Sequence, residues 1–277
     1  MICQSKYKLI LGVAVLLLFI ILVCQINKKP EYFTNPSKAN KDRIPKIIYK
    51  SGPGKPAEIV QKLFDKTLRK NIGFQLKYYD DKKCRKFIME NFPHDVVDAF
   101  DSLKPGAYKA DLFRYCILYK NGGVWSDLTD DYLVPLDEII DFKNDELFLV
   151  DDRPVGKYNM AGIQISFMAA KPNNKLFHKC IRQIVKNTKN KIIGDTPFEL
   201  TGPHLCRRKL NECLKDDPNF KHRIDYKFSK DGHYYENKKT GEKIGKYKSI
   251  GKPKLDKLLN KDTKYYLDMW FKKDIYN

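Results

Sequence analysis

The chain has 277 residues, of which 42% are hydrophobic and 13% aromatic, so it has enough apolar side chains for a packed core and is not a disordered protein. Its formal net charge is +19, and lysine greatly outnumbers arginine among the 53 basic residues. This bias argues against a dedicated nucleic-acid-binding protein, because phosphate and base recognition favours the planar guanidinium. The lysine excess indicates either a solvated surface or a basic face that attracts anionic ligands or membrane headgroups.

The first predicted element is a membrane span at residues 9–26, an apolar run without a charged residue and close to the length of about 20 that a bilayer requires. No small-residue cleavage site follows it, which favours an uncleaved signal-anchor over a cleaved signal peptide. Residues 1–8 form a short tail that the charge distribution only weakly places in the cytosol. Residues 27–43 are polar and contain two prolines, as expected of a stem. We therefore expect the folded domain to occupy residues 44–277.

The start of this domain predicts alternating strands and helices. A short apolar strand at residues 44–49 ends at a Ser-Gly-Pro-Gly turn, and a helix follows from Pro56 to Asn71. A second strand is predicted at residues 74–79, and a helix through Asn91 follows it. This order is typical of an α/β sheet.

The centre of the chain combines a long helix with an acidic strand end. Apolar residues at helical spacing predict a helix over residues 108–120, and Gly122 and Gly123 can end it with a left-handed cap. The run 124–127 then predicts a buried strand whose end carries three acids, Asp127, Asp130 and Asp131. Open α/β sheets bind ligands outside the carboxyl ends of their strands, so a binding site is expected here.

The remaining part of the chain predicts further sheet and helix. Strands are expected at residues 146–150 and 163–169, and a helix at residues 174–189. Residues 226–248 predict a hairpin that turns near Lys239. The fold class is therefore α/β.

Asp111 and Arg114 are the first candidate site residues, because a spacing of three places both on one helix face. There an acid can accept sugar hydroxyls while a guanidinium reaches a phosphate. The alternative is an ordinary surface ion pair, worth less than about 1 kcal/mol. The helix runs directly into the acidic strand end, which favours a shared crevice.

The acids after the strand are candidates for a metal site. Clustered carboxylates suit a hard cation such as Mg²⁺ or Mn²⁺, which can also bridge phosphate oxygens of a leaving nucleoside diphosphate. The alternative is an Asp-rich solvated turn, and the acids alone do not decide between the two.

The segment 105–127, which reads PGAYKADLFRYCILYKNGGVWSD, resembles the sugar-binding region of family 32 glycosyltransferases. This family has the DXD motif and includes yeast-type α-mannosyltransferases and capsular polysaccharide synthesis proteins. Further similar landmarks are the opening strand at residues 44–48, with Tyr49 in place of the frequent histidine, and the segments 171–174, 201–203 and 269–276.

The resemblance implies a GT-A-like, Rossmann-related glycosyltransferase domain behind an N-terminal transmembrane helix. The implied reaction is transfer of a hexose of the mannose, galactose or glucose class from a GDP- or UDP-sugar to a glycan or glycolipid acceptor. It would retain the anomeric configuration and depend on Mn²⁺ or Mg²⁺. The implied location is a membrane, with single-pass type II topology, in the Golgi or another secretory-pathway compartment if the source is eukaryotic.

The resemblance also assigns roles to residues. Tyr108, Asp111 and Arg114 would contact the donor sugar, and Asp127 would be both a donor contact and the first acid of the DXD motif. The second acid position holds a threonine, so the metal ligands are sought among Asp127, Thr129, Asp130 and Asp131. Thr129 would act through a water, Asp130 would turn inward as the replacement, or the metal would bind weakly.

Three further alternatives remain open. Trp270 near the C-terminus either covers the donor or anchors the core. The altered motif also admits a catalytically inactive sugar- or nucleotide-binding descendant of the fold, and the lysine excess admits a basic membrane-surface scaffold. The sequence identifies no catalytic nucleophile.

Overall fold

Ten strands form one mixed sheet in the computed structural model, which describes residues 42–154, 161–250 and 266–277. The described residues all belong to one compact unit, residues 35–277. The predicted tail, membrane span and most of the stem lie outside the described residues. Within the described ranges, no helix combines the length and apolar character needed to cross a bilayer.

The strands run in the order β2-β1-β3-β7-β5-β8-β9-β10-β4, and β6 pairs with β5 at the side of this path. Strands β2, β1 and β3 are parallel, whereas β7 is antiparallel to both β3 and β5. The strand bounds are β1 Ile47–Ser51, β2 Gln75–Tyr79, β3 Gly123–Ser126, β4 Asp131–Tyr132, β5 Leu147–Pro154, β6 Ala161–Ile163, β7 Phe167–Ala170, β8 Arg223–Phe228, β9 Tyr234–Asn237 and β10 Lys243–Lys246.

The described helices lie between these strands and after them. Their bounds are α1 Glu58–Lys70, α2 Asp81–Asn91, α3 His94–Ser102, α4 Gly106–Asn121, α5 Leu136–Ile139, α6 Lys175–Lys189, α7 Pro203–Asp216 and α8 Tyr266–Phe271.

Helix α4 is central because most of its residues are buried, whereas α6 is strongly amphipathic and packs against α4 with its apolar side. The α4 helix ends at Gly122, whose φ of 64° favours glycine. A Cβ atom at Gly122 would lie 2.7 Å from the carbonyl oxygen of Ala170, and one at Gly123 would lie 2.8 Å from that of Ile47. The paired glycines therefore let the chain pass directly from the buried helix into the central strand β3.

One hydrophobic cluster of the core lies on one face of the sheet, where alternate residues of neighbouring strands meet. Ile48 of β1, Val124 of β3 and Phe148 of β5 are completely buried in the same hydrophobic cluster. Their register is set by the pairing of Ile48 with Val124 and by the pairing of both β3 and β5 with Ala169 of β7. This alignment also brings the carboxyl ends of β1, β3 and β5 to the same edge of the sheet.

Most predicted elements of the domain are confirmed, with shifted ends, but the region after β5 differs. The strand predicted at 163–169 is divided, because β6 ends at Ile163 and β7 begins at Phe167. In between, the amide of Gln164 donates to the carbonyl of Val150. The predicted hairpin is a three-stranded meander of β8, β9 and β10, and the helices α3 and α7 were not predicted.

Candidate functional site

The candidate site lies where α4 crosses the carboxyl end of β3. Arg114 connects the two elements: its Nη2 lies 3.1 Å from Asp111 Oδ1, and its Nη1 lies 3.2 Å from Asp127 Oδ1. The same Nη1 donates a hydrogen bond of 2.6 Å to the carbonyl oxygen of Ile165. Asp111, Arg114 and Asp127, which the sequence predicts to share one site, are therefore in contact with one another.

Arg114 is not a surface residue but is buried, with 5% of its surface exposed. Its guanidinium stacks over the ring of Trp125 at 4.9 Å from the ring centroid. A buried arginine that joins two carboxylates and a carbonyl has most of its donors in use, which fixes its position. The alternative of an ordinary exposed ion pair therefore does not apply to Asp111 and Arg114.

Asp111 is also buried and is held by two partners. Thr201 Oγ1 donates a hydrogen bond of 2.7 Å to Asp111 Oδ2, while Arg114 faces the other carboxylate oxygen. Burial raises the pKa of Asp111 to about 6, although Arg114 and Thr201 oppose the rise. The carboxylate is thus preorganised to accept further hydrogen bonds, such as those from sugar hydroxyls.

Asp127 is the more open carboxylate, with 27% of its side chain exposed. Its Oδ1 accepts a hydrogen bond of 3.0 Å from the indole nitrogen of Trp125 and faces Arg114. Its backbone amide donates to the carbonyl of Ser166 on the neighbouring strand segment. Asp127 is therefore fixed on one side and open to solvent on the other.

The other motif residues are less accessible. Thr129 is 2% exposed, and Asp130 is completely buried. Asp130 Oδ2 accepts a hydrogen bond of 2.5 Å from the hydroxyl of Tyr235, and Asp130 Oδ1 accepts one of 3.4 Å from the amide of Lys248. Asp131 lies on β4 and pairs with Lys66 at 2.5 Å, with 13% of its side chain exposed.

Two functional candidates were missed from the sequence. Lys50 is completely buried, and its Nζ donates to Ser126 Oγ and to the carbonyl oxygen of Asp127, each at 2.7 Å. The signal that could have found it is a lysine at the end of the apolar run Ile47–Tyr49. Tyr247 follows β10, and burial together with the charges of Asp127 and Asp130 raises its pKa, but the sequence gives no signal for it.

Tyr108 and Trp270 both contact the loop that precedes α7. The Tyr108 hydroxyl donates to the carbonyl oxygen of Pro197 at 3.0 Å, and the ring is buried. The Trp270 indole nitrogen donates to the carbonyl oxygen of Ile193, also at 3.0 Å. These contacts give each residue a role in anchoring its segment, and a donor contact by either residue stays a prediction.

A divalent cation fits this site only through a small number of protein ligands. Within residues 42–154, 161–250 and 266–277, there is no cluster of three or more His, Cys, Asp and Glu side chains that could hold a metal ion. Mg²⁺ commonly retains several waters and needs only one or two carboxylates when a diphosphate supplies other oxygens. The open side of Asp127 meets this requirement, and Asp131 is the next most exposed motif acid.

Comparisons with known proteins identify the same region. Residues 56–145, about a third of the chain, match the family described as "Glycosyltransferase sugar-binding region containing DXD motif". An uncharacterized glycosyltransferase of Acanthamoeba polyphaga mimivirus is 25% identical over 59% of this chain and 61% of that protein. Inositol phosphoceramide mannosyltransferase 2 of Schizosaccharomyces pombe is 28% identical over 56% of this chain and 45% of that protein.

A third relative is the initiation-specific alpha-1,6-mannosyltransferase of Candida albicans, 32% identical over 36% of this chain and 24% of that protein. The chain thus spans less than two thirds of the length of each of these relatives. Among solved structures, the PaToxG glycosyltransferase superposes with a TM-score of 0.46 at 17% identity, over 64% of this chain and 71% of that one.

Asp111, Arg114 and Asp127 all lie inside the matched segment. This part of the domain is therefore similar in sequence to the glycosyltransferase sugar-binding region that contains the DXD motif. The yeast mannosyltransferase relatives agree with the family 32 resemblance on which the sequence interpretation was based.

Proposed function

We propose that this protein transfers a hexose from a nucleoside-diphosphate sugar to a hydroxyl acceptor. The observation that carries the proposal is the buried Arg114, which joins Asp111 and Asp127 at the carboxyl end of β3. This arrangement buries the carboxylate of Asp111 and leaves that of Asp127 partly exposed at the edge of the sheet. The first suits sugar hydroxyls, and the second suits the diphosphate end of the donor.

In this proposal each residue has a distinct task. Asp111 accepts hydrogen bonds from the donor sugar, and Thr201 keeps its carboxylate oriented. Arg114 holds both acids in place and supplies positive charge close to the bond that breaks. Catalysis then depends on positioning and charge stabilisation, because no side chain in the crevice is assigned as a nucleophile. Retention of the anomeric configuration is part of the proposal through the family 32 resemblance.

The charges of the site support a divalent metal, Mn²⁺ or Mg²⁺. Four carboxylates, those of Asp111, Asp127, Asp130 and Asp131, outnumber the basic residues Lys50, Lys66 and Arg114 around the site. A diphosphate adds further negative charge. A bound metal would neutralise the leaving nucleoside diphosphate. Asp127 would bind the metal ion, and Asp131 or a water held by Thr129 would supply the second ligand on the protein side.

The names of the relatives support mannose as the first sugar to test. A GT-A-like fold for the mixed sheet is part of the proposal through the family 32 resemblance. An inositol phosphoceramide or glycan acceptor follows from the same names. The predicted span at residues 9–26 is the basis for proposing a type II protein of Golgi or other secretory-pathway membranes. A second candidate function, binding of a nucleotide-sugar without transfer, is favoured by the burial of Thr129 and Asp130.

The test is a donor panel applied to the full chain. Purified protein is incubated with GDP-mannose, UDP-galactose or UDP-glucose, with Mn²⁺ or with EDTA, and release of GDP or UDP is measured. Release that requires the metal and disappears in Asp127→Asn supports the transferase. Binding of a donor without release supports the second candidate, and absence of both contradicts the proposal.

A further inference from the structure

Lys50 is a buried basic residue to which the proposed reaction assigns no task. It is completely buried near the end of β1, and its cross-strand neighbour on β3 is Ser126, because Ile48 pairs with Val124 and Tyr49 with Trp125. Its Nζ donates to Ser126 Oγ and to the carbonyl oxygen of Asp127, both at 2.7 Å. The ammonium group therefore ties β1 to the residue at which the DXD turn begins.

Burial of an ammonium group is unfavourable unless an opposite charge and hydrogen bonds compensate for it. Burial lowers the pKa of Lys50, and the carboxylates oppose this, Asp130 more strongly than Asp127. Asp130 is completely buried as well; burial and, after it, the charge of Asp127 raise its pKa, and Lys50 opposes the rise. No ion pair within 4 Å joins the two side chains, but the Lys50 ammonium group and the Asp130 backbone amide both donate to the carbonyl oxygen of Asp127, so the two residues lie close together across the turn.

The turn itself is held from both sides. The amide of Asp130 donates to the carbonyl of Asp127 at 3.1 Å, and that carbonyl is the one that Lys50 contacts. On the other side, Tyr235 and the amide of Lys248 occupy the two carboxylate oxygens of Asp130. An acid whose two oxygens are engaged within the protein is poorly placed to ligate a metal.

We propose that Lys50 is a positioning residue for Asp127, with Asp130 as its buried counter-charge. This inference rests on the proposed function, because it assigns the displaced acid of the DXD segment to supporting the turn. Lys50 holds the carbonyl of Asp127, and Asp130 offsets part of the Lys50 charge from across the turn. The Asp127 side chain is left facing Arg114 and the diphosphate end of the donor. Of the two acids, Asp127 is then available to the donor, whereas Asp130 stabilises the turn.

The test is a double-mutant cycle in the full chain with Lys50→Met, Asp130→Asn and the double variant. Single removal leaves one buried charge uncompensated, so each single variant should melt at a clearly lower temperature, and the double variant should recover part of the loss. The matched control is Lys46→Met, which removes an exposed lysine that pairs with Asp137 just before β1. It should shift the melting temperature little.

A second readout separates positioning from general stability. Binding of Mn²⁺ to protein mixed with UDP or GDP is followed by the electron paramagnetic resonance signal of the free ion. Lys50→Met should weaken Mn²⁺ binding by roughly tenfold or more, as loss of an outer-sphere partner does. Lys50→Gln combined with Asp130→Asn keeps neutral hydrogen-bonding groups at both positions, so it should restore binding to within about threefold, an allowance for context dependence.

The outcomes distinguish this inference from the proposed function. If Asp130→Asn abolishes Mn²⁺ binding and the Lys50→Gln, Asp130→Asn protein does not recover it, Asp130 is a metal ligand and the inference is wrong. Additive melting shifts in the cycle also contradict it. If the wild-type protein binds neither UDP nor GDP with Mn²⁺, the proposed function fails, together with the positioning role. The melting cycle still reports whether Lys50 and Asp130 compensate each other.

Discussion

The indole nitrogen of Trp125 donates a hydrogen bond of 3.0 Å to Asp127 Oδ1, two residues further along the chain. Trp125 is buried on the opposite face of β3 from Val124, and its ring also lies beneath the guanidinium of Arg114. One side chain therefore orients the acid and stacks against its basic partner. This contact gives the first prediction.

Trp125→Phe should keep an aromatic ring under Arg114 but remove the hydrogen bond to Asp127. A hydrogen bond to a charged group contributes about 1.5–3 kcal/mol, so kcat/KM for the donor should fall by about tenfold to a hundredfold. The control is Trp270→Phe, which removes the indole hydrogen bond to Ile193. It should lower the melting temperature without raising the donor KM. An increase in that KM would support the donor contact predicted for Trp270 from the sequence.

Thr201→Val should weaken donor binding, because it removes the hydroxyl that orients Asp111 from 90 residues away in the chain. The side chains are nearly equal in volume, but the buried carboxylate loses one donor, a loss of about 1–3 kcal/mol. Thr201→Ser keeps the hydroxyl and is the matched control. Donor KM should rise about tenfold in the valine variant and change little in the serine variant. Equal values for the two variants would remove Thr201 from the site.

Arg114→Lys should impair both activity and stability. A lysine cannot reach Asp111, Asp127 and the carbonyl of Ile165 together, since it lacks the planar fork of donors. We expect kcat/KM to fall by about a hundredfold and the melting temperature to drop by several degrees. Arg182→Lys, at an exposed ion pair with Asp95, is the control and should have little effect on either quantity. An unchanged melting temperature would contradict the burial described for Arg114.

Asp111 and Arg114 show which features of the site can be predicted from the sequence and which cannot. The spacing of Asp111 and Arg114 and the strand after Gly123 are local features of the sequence. The proximity of these two residues to Asp127 could therefore be predicted. Their burial could not, because it comes from packing by Ile165 and Thr201, which are 51 and 90 residues away from their partners in the chain. Because both side chains are buried, alanine variants of Asp111 and Arg114 should lower the melting temperature as well as turnover.

The same reasoning applies to the sheet. Strands with clear apolar runs were predictable, whereas β4 has only two residues and depends on its pairing with β10, more than 100 residues later. Lys50 could not be assigned either. Its role depends on the parallel pairing of β1 with β3, which no local pattern of residues encodes.

The pH dependence of the protein should follow Asp111, whose pKa is raised by burial from 3.8 to about 6. The folded form then holds a proton that the unfolded form releases between these values. Stability from this group is therefore fully present below pH 3.8 and is lost as pH rises through about 6, by about 3 kcal/mol. Donor binding needs the carboxylate and should change in the opposite direction, increasing with pH through the same range.

The pKa of Asp111 depends on four influences. Burial and the charge of Asp127 raise it, whereas the charge of Arg114 and the hydrogen bond from Thr201 lower it. Tyr108 is the neighbouring phenol. The check is to record unfolding free energy and donor KM from pH 4.5 to 7.5 in wild type and Asp111→Asn. The asparagine variant should lose the pH dependence of donor KM and the Asp111 share of the pH dependence of stability. The remaining stability change belongs to Asp152, whose pKa burial also raises to about 6. If the wild-type dependence persists in the variant, another group is responsible.

The last prediction concerns the altered DXD motif, in which we expect Asp127 to be indispensable. Asp127→Asn keeps the shape of the side chain and its acceptor for Trp125, but it removes the charge that faces the open edge of the sheet. Turnover that depends on Mn²⁺ should therefore disappear, and raising the metal concentration should not restore it. Asp131→Asn should leave turnover but raise the Mn²⁺ concentration for half-activity, because Asp131 is the other motif acid with some exposure.

Thr129→Asp examines the same motif in the opposite direction. It restores the second acid of the usual motif, so the Mn²⁺ requirement should fall, by roughly tenfold if the new carboxylate reaches the ion. Thr129 is almost fully buried and lies beside Asp130, so the added charge should also lower the melting temperature. Thr129→Asn is the matched control, similar in size but uncharged, and should leave the metal requirement unchanged. If EDTA does not affect wild-type turnover and Asp127→Asn remains fully active, the diphosphate is neutralised by basic side chains alone and no metal site exists at this turn.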